Sequence, residues 1–280
     1  TVNDPTGTLL RWTIPDGGSF GLSGSNIDEM LTGIPNGGQP FSSPPLLTKD
    51  TQGRAWVAVG SGRFFTASDV LTSKQMTYYG IREPVTAGGQ LDLTASVARS
   101  SLADVSNIIV FDTGVVGSDS NGDGVSDGSP IVGGRSVTTY FELTRAMSAT
   151  GGWYFTGSVP AERFVDRTML AGPVLVFFGY ITSDDSCDPE GRSKFYARDL
   201  LTGAPPPYGP LGLDKRATGL IAGSIDLGYG QHFLSGHYID KRGDDNFIST
   251  KNDGSVGNNK LFSGTTTNSR MSWRELPLED

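Results

Sequence analysis

Short apolar runs separated by turn-forming residues recur along the chain, and this punctuation constrains the fold more than any other feature. Glycine (39 residues) and proline (16) gather in clusters such as Asp16-Gly17-Gly18 and Pro35-Asn36-Gly37-Gly38. Such clusters bound β-strands, because glycine reaches the backbone angles of tight turns and proline cannot donate within a sheet. The strands predicted in this way are Leu9–Ile14, Ala55–Gly60, Ile108–Phe111, Trp153–Thr156, Val174–Ile181, Lys194–Asp199, Leu220–Asp226 and Met271–Leu276.

The predicted fold class is all-β, as a single domain over residues 1–280 with a short helical excursion. Val174–Phe178 is apolar throughout, which predicts an inner strand covered on both faces. Thr139–Glu142 resembles a capping box, and Tyr140, Leu143 and Met147 follow at helical spacing, so we expect a helix that ends before Gly151-Gly152. Composition alone does not separate a sandwich, a barrel and a propeller.

The segment Lys241–Gly264 is rich in Asp, Asn, Gly and Ser and shows little periodicity. We expect it to form a long surface excursion or a mobile loop, a kind of segment that often carries binding function.

A calcium-binding loop is predicted at residues 119–127. Oxygen-bearing side chains stand at Asp119, Asn121, Asp123 and Asp127, and Val125 can offer its backbone carbonyl. Calcium takes six to eight oxygen ligands, and Gly124 permits the sharp turn after the third of them. Pro130 holds the twelfth position, where an EF-hand places a bidentate glutamate, so Asp127 or water must complete the shell. The alternative is a polar turn without metal.

The charge and cysteine content exclude several partner classes. Lys+Arg 22 against Asp+Glu 30 gives a net charge of −8, which disfavours nucleic acid and anionic lipid. Cys187 is the single cysteine, so an intramolecular disulfide is impossible. No apolar run is long enough to cross a bilayer, and we expect neither a membrane span nor a signal peptide.

Two segments resemble blade strands of quinoprotein-type propellers. Gly7–Trp12 is similar to a Gly-x-Leu-Trp-Arg-Phe strand, and Phe195–Gly203 is similar to the strand and turn Leu-Tyr-Ala-x-Asp-x-x-Thr-Gly. In the second pattern alternate side chains pack between blades, while the Asp and Thr hydrogen-bond the tight turn that glycine closes.

Four further blocks, in order and at consistent spacing, resemble the C-terminal β-propeller of the PilY-type proteins, the tip-associated adhesins and biogenesis factors of type IV pili. The blocks are Gln39–Pro45 with Trp56–Phe65; Tyr78–Ile81; Gly152–Tyr154 with Ala161–Val165, Val174–Tyr180 and Cys187; and Met271–Leu276. Residues 39–81 and 151–205 and the C-terminus match, whereas 82–135 and 206–260 are not anchored by motifs.

The resemblance implies a propeller-like fold, partial or reduced, and a non-enzymatic protein that supports type IV pilus assembly, retraction and surface adhesion. Its implied partners are pilin or minor pilins and a host or abiotic surface. Its implied location is extracellular, on the pilus or the outer surface of a bacterium. The family's calcium loop usually precedes a Gly-x-Leu-Trp-Arg blade, whereas here the loop lies between two matched blocks.

Two alternative functions remain open at this stage. The chain starts inside a blade, so it can be the C-terminal portion of a larger propeller, a structural subunit completed by another chain or by a segment of the same precursor. A quinone-dependent or carbohydrate-active propeller enzyme is less favoured. The lone Cys187 excludes the vicinal cysteine pair of such quinoproteins, and no Gly-x-Ser-x-Gly, Walker or His-Glu-x-x-His motif occurs.

Two further features of the sequence are weaker indicators of function. His232 and His237 lie on or beside a predicted strand, but too few further ligands are visible for a metal pair, so packing or surface roles are favoured. Arg242-Gly243-Asp244 spells an integrin-type tripeptide, an adhesion candidate that is equally well explained as a plain turn.

Overall fold

A computed structural model describes residues 7–12, 27–34, 39–66, 69, 74–183, 190–241 and 243–261. The strands in the first half of these residues are β1 Leu9–Trp12, β2 Ile27–Thr32, β3 Leu46–Lys49, β4 Ala55–Gly60, β5 Thr77–Arg82, β6 Val97–Ala98, β7 Ala103–Asp104, β8 Ile108–Val110, β9 Val116–Ser118, β10 Ile131–Val132 and β11 Arg135–Ser136. The later strands are β12 Gly152–Thr156, β13 Glu162–Arg163, β14 Met169–Ala171, β15 Val174–Ile181, β16 Arg192–Asp199, β17 Ser224–Tyr229, β18 His232–Ile239, β19 Asp245–Lys251 and β20 Val256–Leu261. Helix α1 spans Tyr140–Met147, and a 3-10 turn spans Arg99–Ser101.

Most strands belong to four mainly antiparallel sheets that follow chain order. The first sheet pairs β1 with β2 and adds β6 in parallel, and the second has the order β3-β4-β5-β12-β7. The third has the order β13-β15-β16-β17, with β14 also on β15, and the fourth has the order β18-β19-β20. The all-β prediction is therefore confirmed, and the described residues show no closed ring of blades.

The four sheets pack face to face, and period-two alternation along the strands explains how. Tyr79 and Ile81 of β5 pack with Leu31 of the first sheet, whereas Tyr78 packs on the opposite side, toward the third sheet. On β15, Phe177 faces the second sheet and Phe178 the fourth. Each inner sheet is therefore covered on both faces, which is why Val174–Phe178 is apolar at every position, as predicted.

Stacked aromatic rings form the core between the second and third sheets. The ring centroids of Tyr78 and Phe177 lie 3.7 Å apart with planes 9° from parallel, and Phe177 lies 5.2 Å from Tyr196. Phe164 meets Tyr78 and Phe177 edge-on. Large aromatic side chains bury the most apolar area per residue, so this stack ties the two sheets into one body.

The segment between β5 and β12 is an excursion that carries β6 to β11, helix α1 and the predicted calcium loop. The capping box is present as predicted: the Thr139 hydroxyl accepts from the Glu142 backbone, and the Glu142 carboxylate accepts from the Thr139 backbone. Leu143, Ala146 and Met147 are buried on one face of the helix. The helix prediction is confirmed.

The prediction of a loop at Lys241–Gly264 is wrong for the described residues of that segment. Strands β19 and β20 pair with each other and with β18, and Phe247 and Leu261 are buried. Polar residues also face inward here, since the Asn259 side chain donates to the Ser249 hydroxyl at 3.1 Å. Because paired polar side chains occupy interior positions, the usual apolar alternation that signals a strand is missing.

Other strand boundaries differ in smaller ways. Strands β4 and β15 match their predicted bounds, but the predicted Leu220–Asp226 strand begins only at Ser224, and Leu220 and Ile221 instead form isolated bridges. Strands β2, β3 and β5 are among those that were not predicted. Residues 13–14 and the predicted strand Met271–Leu276 lie outside the described residues.

Candidate metal loop and adjoining cavity

The predicted calcium loop is closed at its base by a backbone bridge. The Ser118 N–H donates to the Gly128 carbonyl at 2.8 Å, and the Asp127 N–H donates to the Ser118 carbonyl at 2.7 Å. The first residue inside this base, Asp119, donates its own N–H to the Asn107 carbonyl at 2.8 Å. The loop therefore projects from strand β9 with both ends held.

Asp119 is the buried centre of the loop, with only 6% of its surface exposed. One carboxylate oxygen accepts from the Gly122 N–H at 2.7 Å and the other from the Gly124 N–H at 2.8 Å. Both glycines have positive φ, of 78° and 85°, and a Cβ on Gly124 would lie 2.8 Å from Cβ of Arg216. The turn after the third predicted ligand therefore requires glycine, as the sequence indicates.

The remaining predicted ligands are exposed and hydrogen-bond the loop's own backbone. Asn121 Oδ1 accepts from the Asp123 N–H at 3.0 Å, and Asp123 Oδ1 accepts from the Val125 N–H at 2.7 Å. Asp127 Oδ2 accepts from the N–H of Ser120 at 2.8 Å and from its hydroxyl at 2.5 Å, and these hydrogen bonds lower the pKa of Asp127.

The guanidinium of Arg216 places a positive charge beside the loop. Arg216 donates through Nη1 to the Gly122 carbonyl at 2.7 Å, and the same atom lies 3.8 Å from Asp119 Oδ2. Its Nη2 pairs with Asp214 at 2.9 Å. The hydrogen bonds to Asp214 raise the pKa of Arg216, and the charges of Asp119 and Asp123 add to the effect.

The donor set is that of a hard-cation site, but the carboxylates do not converge. Across the residues for which the structure gives positions, which include the whole loop, no group of three or more His, Cys, Asp or Glu side chains is placed to hold a metal ion. Each oxygen that accepts one N–H still has a second lone pair. Calcium at Asp119, Asn121, Asp123, Val125 and Asp127 therefore stays a prediction, which requires the exposed carboxylates to turn toward Asp119.

A cavity of about 550 Å³ opens beside the loop, between β12 and the strands β16 and β17. Asp119, Asn121 and Gly122 form part of its wall, and Phe155 and Tyr196 form another part. A cavity of this volume is typical of a small-molecule or peptide-terminus site.

Charged side chains buried beside this cavity were not found from the sequence. Glu162 has no exposed surface; it accepts from the Tyr196 hydroxyl at 2.5 Å and from the Ser158 N–H at 2.8 Å. Arg198 is 6% exposed and its guanidinium carbon lies 4.3 Å from the centroid of Phe155. The available signal was the period-two series Lys194, Tyr196, Arg198, which places long polar side chains on one face of a buried strand.

The Arg-Gly-Asp tripeptide falls at the turn between β18 and β19. Arg242 lies outside the described residues, and Gly243 has φ of 87°. The Asp244 carboxylate forms an ion pair with Lys260, and its N–H donates to Asp240 Oδ1 at 3.1 Å. The contacts of Asp244 are those of a hairpin turn, and an adhesive role for the tripeptide stays a prediction.

Both histidines lie on β18, as predicted, and they have separate partners. His237 Nε2 lies 2.6 Å from Asp245 Oδ1, and its ring stacks on Phe247. The His232 ring contacts Ser249, and burial, with a smaller contribution from Lys251, lowers the pKa of His232. The two histidines are five positions apart on the strand, a spacing of roughly 16 Å, which is too large for both rings to bind one metal ion. Cys187 lies outside the described residues.

The fold and the resembling sequence blocks define a class: stacked, mainly antiparallel sheets with PilY-like motifs on strands β4, β5, β12 and β15. The comparisons with known proteins agree with this class. The chain is 25% identical over 176 residues to the type IV pilus biogenesis factor PilY1 of Pseudomonas aeruginosa strain UCBPP-PA14. The aligned region covers 59% of this chain and 15% of that protein.

The crystal structure of the Pseudomonas aeruginosa PilY1 C-terminal domain has a similar fold. The TM-score is 0.51 at 15% sequence identity, and the match covers 92% of this chain and 57% of that structure. No protein-family model matches the chain. The resemblance to PilY-type proteins inferred from the motifs is confirmed, with the chain spanning 15% of the length of the curated relative.

None of the helices in the described part of the chain is long and apolar enough to cross a membrane.

Proposed function

We propose that this chain is a non-enzymatic, calcium-binding domain of a pilus-associated protein that acts outside the cell. In this proposal it supports type IV pilus assembly or retraction and surface attachment, with pilin or minor pilins as partners. The observation that carries the proposal is the joint similarity in sequence and fold to PilY1, a type IV pilus biogenesis factor. In the same proposal the four stacked sheets are blades of a partial or reduced propeller.

Calcium would serve as a structural ion for the loop at 119–127. Three aspartates on a nine-residue loop repel one another, and a divalent cation removes that repulsion while drawing their oxygens together. The closed base at Ser118 and Gly128 supports this role, because a loop with fixed ends loses less entropy when the ion orders it. The bound loop would then form a fixed part of the cavity wall.

Isothermal titration with calcium tests the metal site. We expect Asp123→Ala to weaken calcium binding by at least about tenfold, since it removes one charged ligand of a hard cation. We expect Arg216→Gln to strengthen binding on the order of fivefold, because the guanidinium repels an incoming cation. Asp253→Ala, an exposed aspartate in the turn between β19 and β20, is the matched control. Unchanged calcium uptake by a folded Asp123→Ala protein rejects the assignment.

Binding to pilin subunits tests the pilus role. The chain, immobilised with calcium and then with chelator, should bind pilin or at least one minor pilin of its own organism. A globular protein of net charge near −8 controls for nonspecific electrostatic attraction. Absence of binding to every pilin subunit under both conditions contradicts the proposal.

A second candidate is a structural subunit that completes a propeller with another chain. It is supported by the four described sheets, which stack as an open series, with β20 at the edge of the last sheet. Size-exclusion chromatography with mass measurement separates the two proposals. A stable monomer at the chain's 29.6 kDa argues against an obligate partner chain.

A further inference from the structure

One face of strand β16 forms part of the wall of the cavity beside the candidate metal loop. Lys194, Tyr196 and Arg198 alternate with residues buried on the other face of β16, so all three project toward β12. Beside this face, the Phe155 ring packs against the Tyr196 ring, with the ring centroids 5.2 Å apart. The cavity wall therefore combines the cationic side chains of Lys194 and Arg198 with the aromatic rings of Phe155 and Tyr196.

Arg198 has fewer partners than a buried guanidinium requires. It is 6% exposed, its Nε is buried without a hydrogen bond, and Nη1 reaches the Gly203 carbonyl only at 3.5 Å. Within the described residues no carboxylate lies at ion-pair distance from it. A guanidinium offers five N–H donors, and burying it without an anionic partner is unfavourable. The guanidinium of Arg198 lies over the Phe155 ring, and it still has donor capacity for an acceptor in the cavity.

Once two ion pairs are set aside, the charged groups around the cavity are two cations and two carboxylates. Arg216 pairs with Asp214, and Asp226 pairs with Arg192 at 2.9 Å. Lys194 donates only to the Ser158 hydroxyl, at 2.5 Å. Lys194 and Arg198 on β16 are therefore matched in number by the buried carboxylates of Glu162 and Asp119, and the oxygens of Glu162 are occupied by Tyr196 and Ser158.

We propose that this cavity is a binding site for a ligand carrying one carboxylate group, with Arg198 as its anchor and Lys194 as a second cation. A carboxylate matches the fork of the guanidinium and can accept two parallel N–H bonds. The apolar body of the ligand would rest on Phe155, Ile109 and Ile221, which all line the cavity. A monoanion is favoured over a phosphate dianion, because the buried carboxylates of Glu162 and Asp119 would repel a second negative charge.

Two sources can supply this group: a free organic acid, or the C-terminal carboxylate of a protein. Titration followed by NMR chemical shifts or calorimetry distinguishes them with two probes. The first probe is phenylacetate, compared with the neutral phenylacetamide. The second is a short peptide ending in phenylalanine, compared with the same peptide amidated at its C-terminus.

We expect the acids to bind and their amides to bind at least about tenfold more weakly, since the charge-assisted pair is lost. Arg198→Gln should weaken acid binding by about tenfold or more and Lys194→Gln by about threefold, while Arg135→Gln, an exposed arginine on β11, should leave it within about twofold. Tighter binding of the peptide than of phenylacetate would identify a protein terminus, and the reverse a small acid.

Circular dichroism establishes that each variant is folded. If Arg198→Gln does not fold, Lys194→Gln and the acid–amide comparison still decide the question. Equal binding of acid and amide, no binding of either acid, or full binding by a folded Arg198→Gln protein would overturn the proposal.

Discussion

At the residue scale, the indole of Trp153 explains why glycines recur in two of the sequence blocks. A Cβ on Gly80 would lie 2.3 Å from Trp153 Cε2, and a Cβ on Gly203 would lie 2.3 Å from Trp153 Cδ2. The indole N–H donates to the Leu200 carbonyl at 2.9 Å. Tyr-Tyr-Gly-Ile, Gly-Trp-Tyr and Thr-Gly therefore belong together because one buried ring must fit between two glycines.

Replacing Gly80 by alanine should be strongly destabilising. The added methyl group meets a ring held on both sides, so we expect a loss of about 3 kcal/mol or more in the free energy of unfolding, measured with urea. Gly88→Ala is the matched control, because its nearest neighbour would lie at 3.8 Å. Equal stability of the two variants would show that the ring moves freely.

We expect Asp69 to make the stability of the fold depend on pH in the acidic range. Burial alone would raise the pKa of Asp69, but hydrogen bonds from Arg63, Phe65 and Thr66 outweigh it and lower this pKa to about 2. A carboxyl whose pKa is lower in the folded state stabilises the fold above its unfolded pKa of about 3.9. That stabilisation is lost as the pH falls from about 4 to 2.

The urea midpoint, measured across this pH range, tests the Asp69 prediction. Asp69→Asn should be less stable at neutral pH and should lose part of the decline in acid. Asp112→Asn, an exposed aspartate, should behave as the unmodified chain does. A decline in Asp69→Asn as steep as in the unmodified chain would contradict the assignment.

At the scale of elements, the sequence predicted the helix and the strand whose formation depends on residues close together in the chain. Helix α1 was predictable because its start depends on Thr139 and Glu142, three residues apart, and its buried face on a 3.6-residue period. Strand β15 was predictable because both faces are buried. Strands β19 and β20 were missed because Ser249 and Asn259 satisfy each other inside the sheet, a pairing between residues ten positions apart.

The N-cap of α1 offers a direct test at this scale. Thr139→Ala leaves the Glu142 N–H without its partner, so we expect a loss of about 1 kcal/mol in the free energy of unfolding. Ser136→Ala, exposed on β11, should change it by less than about 0.5 kcal/mol. A neutral Thr139→Ala would mean that packing of Leu143 and Met147 alone holds the helix.

At the scale of the whole molecule, the aromatic stack predicts one cooperative unfolding transition. The ring centroids of Tyr78 in the second sheet and Phe177 in the third lie 3.7 Å apart. Because the two sheets share this core, neither sheet keeps its core if the other unfolds. We expect a single calorimetric transition whose van't Hoff and calorimetric enthalpies agree. Two separated transitions would show that the sheets unfold independently.

Phe177→Ala sharpens this test. It should lower the whole transition, by about 3–5 kcal/mol in the free energy of unfolding, without splitting it, because it opens a cavity shared by both sheets. Phe141→Ala, which removes a ring that is 77% exposed on α1, should change stability by less than about 0.5 kcal/mol.

The sequence by itself determined the all-β class, the capped helix, the doubly covered strand and the motifs shared with PilY-type proteins. Each of these rests on spacing within a few residues or on an ordered series of blocks. Only the tertiary structure decided that β16 turns Lys194, Tyr196 and Arg198 into a cavity beside Asp119. It also decided that Arg216 lies 3.8 Å from Asp119, a residue distant from it in the chain. The reason is that burial and charge pairing depend on residues distant in the chain, whose contacts no local pattern encodes.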